Sequence, residues 1–267
     1  MRIATWNVNS VNARLPTVLA WLEAANPDVV AFQEIKTVDE KFPREEFERL
    51  GYNIETHGQK SYNGVALLSK FPMSDVRRGL PDGETAGLDG PDDQARYIEA
   101  LVESPVPVRV GAIYLPNGNP LGTAKFDYKL AWFERLNAHA HALLALEEPL
   151  VLCGDYNVIP EPQDAKNPAA WIGDALFQPE SRAAFRALKN LGLSDASELG
   201  NQRPGTFTFW DYQAGAWQRD HGIRIDFHLL SPQAADRFRS VETHRDARDM
   251  DKPSDHVPVV IDLRLDA

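Results

Sequence analysis

Eight short apolar segments, rich in β-branched residues, constrain the fold of this 267-residue chain more than any other feature. Segments of this length and composition are typical of buried or half-buried strands. The predicted strands are Arg2–Asn7, Asp28–Gln33, Gly64–Ser69, Arg96–Val102, Val108–Leu115, Leu150–Gly154, Arg224–Leu230 and Val257–Leu263.

Three segments between these strands carry apolar residues at helical spacing. Leu15–Ala25 follows the first strand and ends at a turn, Thr123–Leu146 begins at a threonine suited to capping, and Glu180–Leu191 ends at a glycine. Hairpin-like strand runs mixed with helices indicate an α/β sandwich, with helices covering sheets, rather than a strictly alternating parallel fold. No repeat or biased linker divides the chain, so we expect one domain over residues 1–267.

Composition indicates the cellular compartment and limits the classes of binding partner. The single cysteine, Cys153, lies in an apolar run, which fits a reducing compartment. Neither a secretory signal pattern nor a membrane-length apolar run is present, so we expect a cytoplasmic protein without membrane contact. The net charge of −11 argues against broad electrostatic adhesion to nucleic acid but allows a local basic rim. The acidic run Asp82–Asp93 is predicted to be a solvated loop.

Polar side chains follow five of the strands at the point where each is expected to end. Taken singly, such residues often cap helices or close turns. Taken together, several carboxylates at strand edges carry a free-energy cost unless a cation binds them. Oxygen ligands without clustered cysteines or paired histidines favour Mg²⁺, with Mn²⁺ as the alternative, and these ions support phosphate ester hydrolysis. The residues concerned are Asn7, Asn9, Gln33, Glu34, Asp155, Asn157, Asp226, Asp255 and His256.

These residues stand in motifs that resemble the exonuclease III family of abasic-site endonucleases, within the endonuclease/exonuclease/phosphatase superfamily. The motifs are Trp6-Asn7-Val8-Asn9, Gln33-Glu34-Ile35-Lys36, Tyr62-Asn63-Gly64-Val65-Ala66, Gly154-Asp155-Tyr156-Asn157, Ile225-Asp226 and Ser254-Asp255-His256. Two longer stretches, Tyr114 to Trp132 and Phe209 to Asp226, sharpen the resemblance beyond the superfamily. It implies a four-layer α/β sandwich similar to deoxyribonuclease I, with two packed mixed β-sheets flanked by helices.

The resemblance also implies residue roles. Asp155 would activate the attacking water and Asn157 would steady it, while His256, oriented by Asp226, would face the phosphate and Tyr114 would assist there. The metal would be held by Glu34, with Asn9, Asp255, Asp155, Asn157 and His256 around it. Asn7 would hold the site together.

Substrate residues follow from the same resemblance. An extruded base-less sugar needs a small apolar-aromatic pocket, which Phe209, Trp210 and Ile225 would line, although ordinary core packing explains such a cluster too. The backbone of double-stranded DNA would meet Lys36, Lys125, Lys129 and Arg224, each of which is otherwise a common surface cation. Ser10-Val11 and Ser197 depart from common family residues and bear on the DNA-facing loops, and so on substrate preference.

Three functions stay open. The leading one is a monomeric repair enzyme that cuts duplex DNA 5′ to abasic sites, with 3′-5′ exonuclease and 3′-end cleaning activity. The second keeps the catalytic residues but acts on RNA or on a lipid or inositol phosphate. The third is a catalytically silent binding module, which the presence of Glu34, Asp155, Asn157, Asp226 and His256 disfavours.

Overall fold

The computed structural model describes residues 1–83 and 91–266, and in it two six-stranded sheets pack face to face. Most of the predicted acidic loop, residues 84–90, lies outside the described residues. The strands in chain order are β1 (Arg2–Asn7), β2 (Val29–Gln33), β3 (Asn53–His57), β4 (Val65–Ser69), β5 (Met73–Arg78), β6 (Tyr97–Val102), β7 (Val108–Tyr114), β8 (Leu150–Asp155), β9 (Ser194–Asp195), β10 (Asp226–Leu230), β11 (Phe238–Thr243) and β12 (Val259–Leu263).

Six α-helices accompany the sheets in the described chain. They are α1 (Leu15–Ala25), α2 (Arg44–Glu48), α3 (Ala124–Leu144), α4 (Pro179–Asn190), α5 (Ala196–Leu199) and α6 (Pro232–Ala235). The predicted cap of α3 is confirmed, because the Thr123 hydroxyl accepts a hydrogen bond from the Lys125 backbone amide. Within residues 1–83 and 91–266, none of the helices combines the length and apolar composition needed to cross a bilayer.

The first sheet has the order β11-β12-β1-β2-β4-β3 and the second has the order β5-β6-β7-β8-β10-β9. Successive side chains of a strand point to opposite faces, so each central strand contributes to two cores. Ile3 packs between the sheets, whereas Trp6 packs against α1 and its Trp21. On the far side, the second sheet packs against α3 and α4 through Trp132 and Phe185. The layers therefore run helix, sheet, sheet, helix, which confirms the predicted α/β sandwich.

Strand direction brings the candidate residues to one end of the sandwich. β1 and β2 run parallel with Asn7 opposite Gln33, and β7 and β8 run parallel with Tyr114 opposite Asp155. β10 is antiparallel to β8, so its first residue, Asp226, lies opposite the last residue of β8. Because the two sheets face each other, these strand ends converge at one edge of the central core.

Candidate active site

Asn7 joins the two sheets at the centre of the candidate site. Its side chain is fully buried, and its amide nitrogen donates one hydrogen bond to Glu34 Oε1 and another to Asp155 Oδ2, both at 2.9 Å. Its side-chain oxygen accepts from the Asn9 backbone amide at 3.0 Å, and Ser254 Oγ donates to its backbone carbonyl at 2.7 Å. One asparagine thus fixes the distance between two carboxylates that would otherwise repel.

A positive charge already sits among the oxygen atoms beside Glu34. Lys36 Nζ lies 2.7 Å from Glu34 Oε2 and 2.6 Å from Asn9 Oδ1, and the Asn9 amide donates to Asp255 Oδ1 at 3.1 Å. Burial raises the pKa of Glu34, but the Lys36 ammonium and the Asn7 amide more than offset it, so this pKa lies below its ordinary value. Glu34 is therefore a carboxylate at neutral pH.

The chemistry of this donor set fits a hard divalent cation. Among the described residues, no group of three or more His, Cys, Asp or Glu side chains is arranged to enclose a metal. The Glu34 carboxylate and the Asn9 amide oxygen converge instead on the Lys36 ammonium, which occupies the place of a cation. Mg²⁺ commonly binds proteins through one or two carboxylates while keeping several waters, so this sparse set fits such an ion.

Asp155 and His256 form the second half of the site. Asp155 is 1% exposed, its Oδ1 accepts from the Asn157 backbone amide at 2.9 Å, and its Oδ2 lies 3.7 Å from His256 Nε2. The other ring nitrogen, His256 Nδ1, lies 2.9 Å from Asp226 Oδ2. Burial lowers the pKa of His256, but the Asp226 and Asp155 carboxylates outweigh it and raise that pKa to about 10. The ring is therefore an imidazolium at neutral pH.

The pKa values of Asp155 and Tyr114 are also displaced. Burial, with a contribution from the charge on Asp226, raises the pKa of Asp155 to about 7, although His256 opposes the shift. Burial and the charges on Glu34 and Asp155 hold the pKa of Tyr114 well above its ordinary value, so its hydroxyl stays protonated. The Arg96 guanidinium stacks 4.7 Å from the centre of the Tyr114 ring and fixes its position.

Four residues of the site have backbone conformations that side chains seldom adopt. The φ angles of Asn9, Glu34, Lys36 and Asn157 are 44°, 51°, 52° and 45°. Asparagine tolerates this left-handed region better than most residues. Glutamate and lysine do not, so the conformations of Glu34 and Lys36 cost about 1–3 kcal/mol each. Strain of this kind concentrates where the chain must turn sharply after a strand to aim a side chain at a common point.

A cavity of about 340 Å³ opens beside these residues. Its polar wall holds the candidate catalytic groups, and its apolar wall is formed by Trp171, Leu176, Phe209 and Ile225. The full lining is Glu34, Tyr114, Asn117, Asp155, Asn157, Trp171, Asp174, Leu176, Phe209, Asp211, Ile225, Asp255 and His256. The centre of the Phe209 ring lies 4.9 Å from the centre of the His256 ring in an edge-to-face contact, so the apolar wall packs directly against the imidazolium.

The structure does not bring every predicted substrate residue into this cavity. Trp210 is fully buried in the core behind Phe209, and its indole nitrogen donates to Asp220 at 3.2 Å. Arg224 is buried in ion pairs with Asp164 and Asp195. Lys129 is fully buried and donates to backbone carbonyls. Lys125 is exposed on the first turn of α3.

Sequence reasoning missed five lining residues: Asn117, Trp171, Asp174, Leu176 and Asp211. Trp171 lies on a one-turn 3-10 helix, Pro168–Trp171, in a loop after β8 where no apolar periodicity exists to reveal its direction. Asn117 had a usable signal, because it stands in the Tyr114-Leu115-Pro116-Asn117-Gly118 motif. Its amide donates to Asn157 Oδ1 at 3.2 Å, so the structure makes it part of the site.

Comparisons with known proteins agree with this geometry. A model of the endonuclease/exonuclease/phosphatase family matches residues 4–256. The chain is 34% identical to exodeoxyribonuclease III of Haemophilus influenzae over 272 residues, which cover 97% of this chain and 98% of the relative.

Two solved structures share the whole fold. An AP endonuclease from Archaeoglobus fulgidus superposes with a TM-score of 0.90 at 34% identity, covering 98% of this chain and 99% of that one. A 3′ phosphatase from Neisseria, bound to a product DNA hairpin, superposes with a TM-score of 0.91 at 36% identity, covering 99% of each chain.

Proposed function

The chain belongs to the endonuclease/exonuclease/phosphatase family, within its exonuclease III branch, and we propose that it is a divalent-metal-dependent hydrolase of DNA repair. It cuts the backbone of duplex DNA 5′ to abasic sites, acts as a 3′-5′ exonuclease and cleans 3′ ends. The observation that carries this proposal is the cluster formed by Asn7, Glu34, Asp155 and the Asp226–His256 pair at the mouth of a small apolar-aromatic cavity.

Asp155 is the general base for the attacking water. Its two oxygens are oriented by the Asn7 amide and the Asn157 backbone amide, and its pKa of about 7 lies close to the working pH. A base with such a pKa accepts a proton readily and is about half ionised at neutral pH. The water proton passes to Asp155 as the water oxygen attacks phosphorus and the bond from phosphorus to the 3′ oxygen breaks.

His256 and Tyr114 stabilise the phosphate during this attack. Asp226 holds His256 Nδ1, so Nε2 presents a positively charged N–H toward the cavity. The Tyr114 hydroxyl remains a hydrogen-bond donor because the pKa of this side chain is raised. Preorganised donors in a buried site stabilise developing negative charge more strongly than water does.

The cation site lies at Glu34 and Asn9, with Asp255 behind Asn9. Mg²⁺ is the proposed ion, with Mn²⁺ as the alternative. When bound, such an ion neutralises phosphate charge and stabilises the leaving oxygen. An ion held by Glu34 and Asn9 would displace the Lys36 ammonium, because both could not occupy this position, and Lys36 would then contact the DNA backbone.

Selection of a base-less nucleotide rests on the apolar wall of the cavity. Trp171, Leu176, Phe209 and Ile225 offer an apolar surface that accepts a bare deoxyribose. The name of the Archaeoglobus fulgidus structure, an AP endonuclease, supports this substrate.

We also propose that residues 1–267 form one domain, which acts as a monomer in the cytoplasm. The family match that spans residues 4–256 supports the single domain. The buried, unpaired Cys153 is compatible with a reducing compartment.

A panel of nucleic acids tests the proposal. Duplexes that carry one abasic analogue, a recessed 3′ end or a 3′ phosphate are incubated with Mg²⁺ or with a chelator, beside an undamaged duplex with chemically blocked 3′ ends, an RNA strand and an inositol phosphate. We expect cleavage of the first three with Mg²⁺ alone, and a 3′ hydroxyl at the abasic cut. Faster turnover of the RNA or the inositol phosphate, or no cleavage of the abasic duplex, contradicts the proposal.

A further inference from the structure

Lys129 places its amino group in the interior of the protein, directly behind the candidate active site. It lies on α3, its side chain is 0% exposed, and it ranks among the largest fully buried side chains of the described chain. Burial of an ammonium group costs several kcal/mol even after the protein relaxes around it. An apolar side chain of similar length would fill the same space without that cost, so the charge calls for an explanation.

The ammonium joins two loops that carry site residues. Lys129 Nζ donates to the Asn117 carbonyl at 3.1 Å and to the Asn157 carbonyl. Asn117 follows β7, which ends at Tyr114, and Asn157 follows β8, which ends at Asp155. Both acceptors are neutral backbone carbonyls rather than carboxylates, so Lys129 forms no ion pair with them.

The Asn157 turn depends on such an anchor. Its φ angle of 45° is unfavourable, and its backbone amide is one of the two donors that orient Asp155. The Asn157 amide group donates to the Leu115 carbonyl at 2.9 Å, and the Asn117 amide donates to Asn157 Oδ1 at 3.2 Å. Lys129 Nζ is the donor that closes this network from the core side.

The surrounding chain leaves space for the lysine stem. Gly118 adopts a φ angle of +88°, and a Cβ atom placed there would lie 2.6 Å from Lys129 Cδ and 3.2 Å from Ala175 Cβ. A glycine is thus required where the loop after β7 crosses the side chain. The close approach of Gly118 restricts the conformations open to the lysine stem.

We propose that Lys129 is a positioning residue for phosphodiester hydrolysis, which fixes the loops after β7 and β8 and thereby the orientation of Asp155 and Asn157. This inference rests on the proposed function. It replaces the DNA contact expected for Lys129 from sequence, since a fully buried side chain does not reach a DNA backbone. Misplacement of a catalytic group by about 1 Å can reduce the rate about 100-fold, so the expected effect is on kcat.

The test compares Lys129→Met and Lys129→Gln with wild type and with Lys41→Met, an exposed lysine outside the site. Steady-state cleavage of an abasic duplex gives kcat and KM, and thermal unfolding gives Tm. For Lys129→Met we expect kcat to fall about 100-fold with little change in KM, and Tm to change little, because relief of the desolvation cost of the buried amino group offsets the loss of its two hydrogen bonds. Lys41→Met is expected to match wild type.

A role in stability alone gives a different pattern, with Tm reduced and kcat of the folded variant unchanged. Lys129→Gln keeps one donor, so it decides the question if the methionine variant does not fold. The inference is overturned if the folded methionine variant retains the wild-type kcat or, where that variant does not fold, if the glutamine variant does. Failure of wild type to cleave the abasic duplex would instead count against the proposed function.

Discussion

Asn7 decides how closely two acidic side chains can approach at the junction of the sheets. Its amide nitrogen has two hydrogens, and both are used, one on Glu34 and one on Asp155. An aspartate at this position would repel both carboxylates, and an apolar residue would leave them unsatisfied in a buried setting. The identity of this residue therefore follows from the charges on either side of it.

His256 gives the protein a dependence of stability on pH with a defined sign. The pKa of His256 is about 10 in the folded protein, against an ordinary value of 6.5, because the carboxylates of Asp226 and Asp155 outweigh burial. The folded state binds this proton more tightly than the unfolded state does. The stabilising contribution is therefore complete below about pH 6.5 and is lost as the pH rises through about 10.

Urea unfolding of wild type and His256→Gln in chelator, at several pH values between 6.5 and 10, tests this sign. We expect the difference in unfolding free energy between the two proteins to shrink as the pH rises. Burial lowers the pKa of Lys129 to about 7, which changes stability in the opposite sense, but it does so in both proteins and cancels from the difference. A difference that stays constant or grows over this range would contradict this sign for His256 and the Asp155 carboxylate that it faces.

Residue types at strand ends were predictable from sequence, whereas the direction of long side chains was not. Asn7, Asp155 and Asp226 converge because strand pairing fixes their positions, and short side chains have few ways to point. Lys129 and Arg224 look like surface cations in a sequence, but each places its charged end on buried partners. A pattern of residue types does not reveal such partners, because they come from distant parts of the chain.

Strands at the sheet edges escaped prediction for a physical reason. β5 and β11 carry mostly polar or exposed residues, because one side of an edge strand faces solvent, and they lack the apolar run by which the central strands are recognised. The central strands β1, β2, β4, β7 and β8 are buried along nearly their whole length. The fold class was thus predictable from the centre of each sheet, and the six-strand count was not.

The 3-10 helix Pro168–Trp171 contributes the Trp171 side chain to the apolar wall of the cavity. Truncation of this side chain tests how the cavity selects a nucleotide. Trp171→Ala removes part of the apolar wall and enlarges the cavity, so a sugar with its base attached should fit better than in wild type. We expect the preference for an abasic duplex over an undamaged one to fall about tenfold, the size of effect that apolar pocket contacts give. The ratio of the two incision rates measures it.

Ile172 offers a matched control, since it is the next residue and is 70% exposed. Ile172→Ala should leave the ratio of abasic to undamaged incision as in wild type. An unchanged ratio in Trp171→Ala would mean that selection depends on other walls of the cavity.

Packing between the two sheets holds the proposed catalytic residues in place, because each sheet supplies about half of them. Ile3 on β1 is fully buried in this layer. Ile3→Ala should destabilise the protein by about 2–5 kcal/mol through lost burial and the cavity left behind. Denaturant unfolding measures the change.

Ser240→Ala on the exposed face of β11 is the comparison for this measurement. It should change the unfolding free energy by less than about 0.5 kcal/mol. A similarly small effect of Ile3→Ala would mean that the layer between the sheets contributes little to stability.

Cleavage of a duplex with one abasic analogue by wild type and Asp155→Asn, each with Mg²⁺ and with chelator, measures whether Asp155 is the base of a metal-dependent hydrolysis. The buried amide keeps the volume of the carboxylate but cannot accept the proton of water at neutral pH. We predict incision 5′ to the analogue by wild type with Mg²⁺ alone, and a rate about 100-fold to 10,000-fold lower for Asp155→Asn, the range that general-base catalysis supplies. Incision that persists in chelator, or at the wild-type rate in Asp155→Asn, would contradict the account.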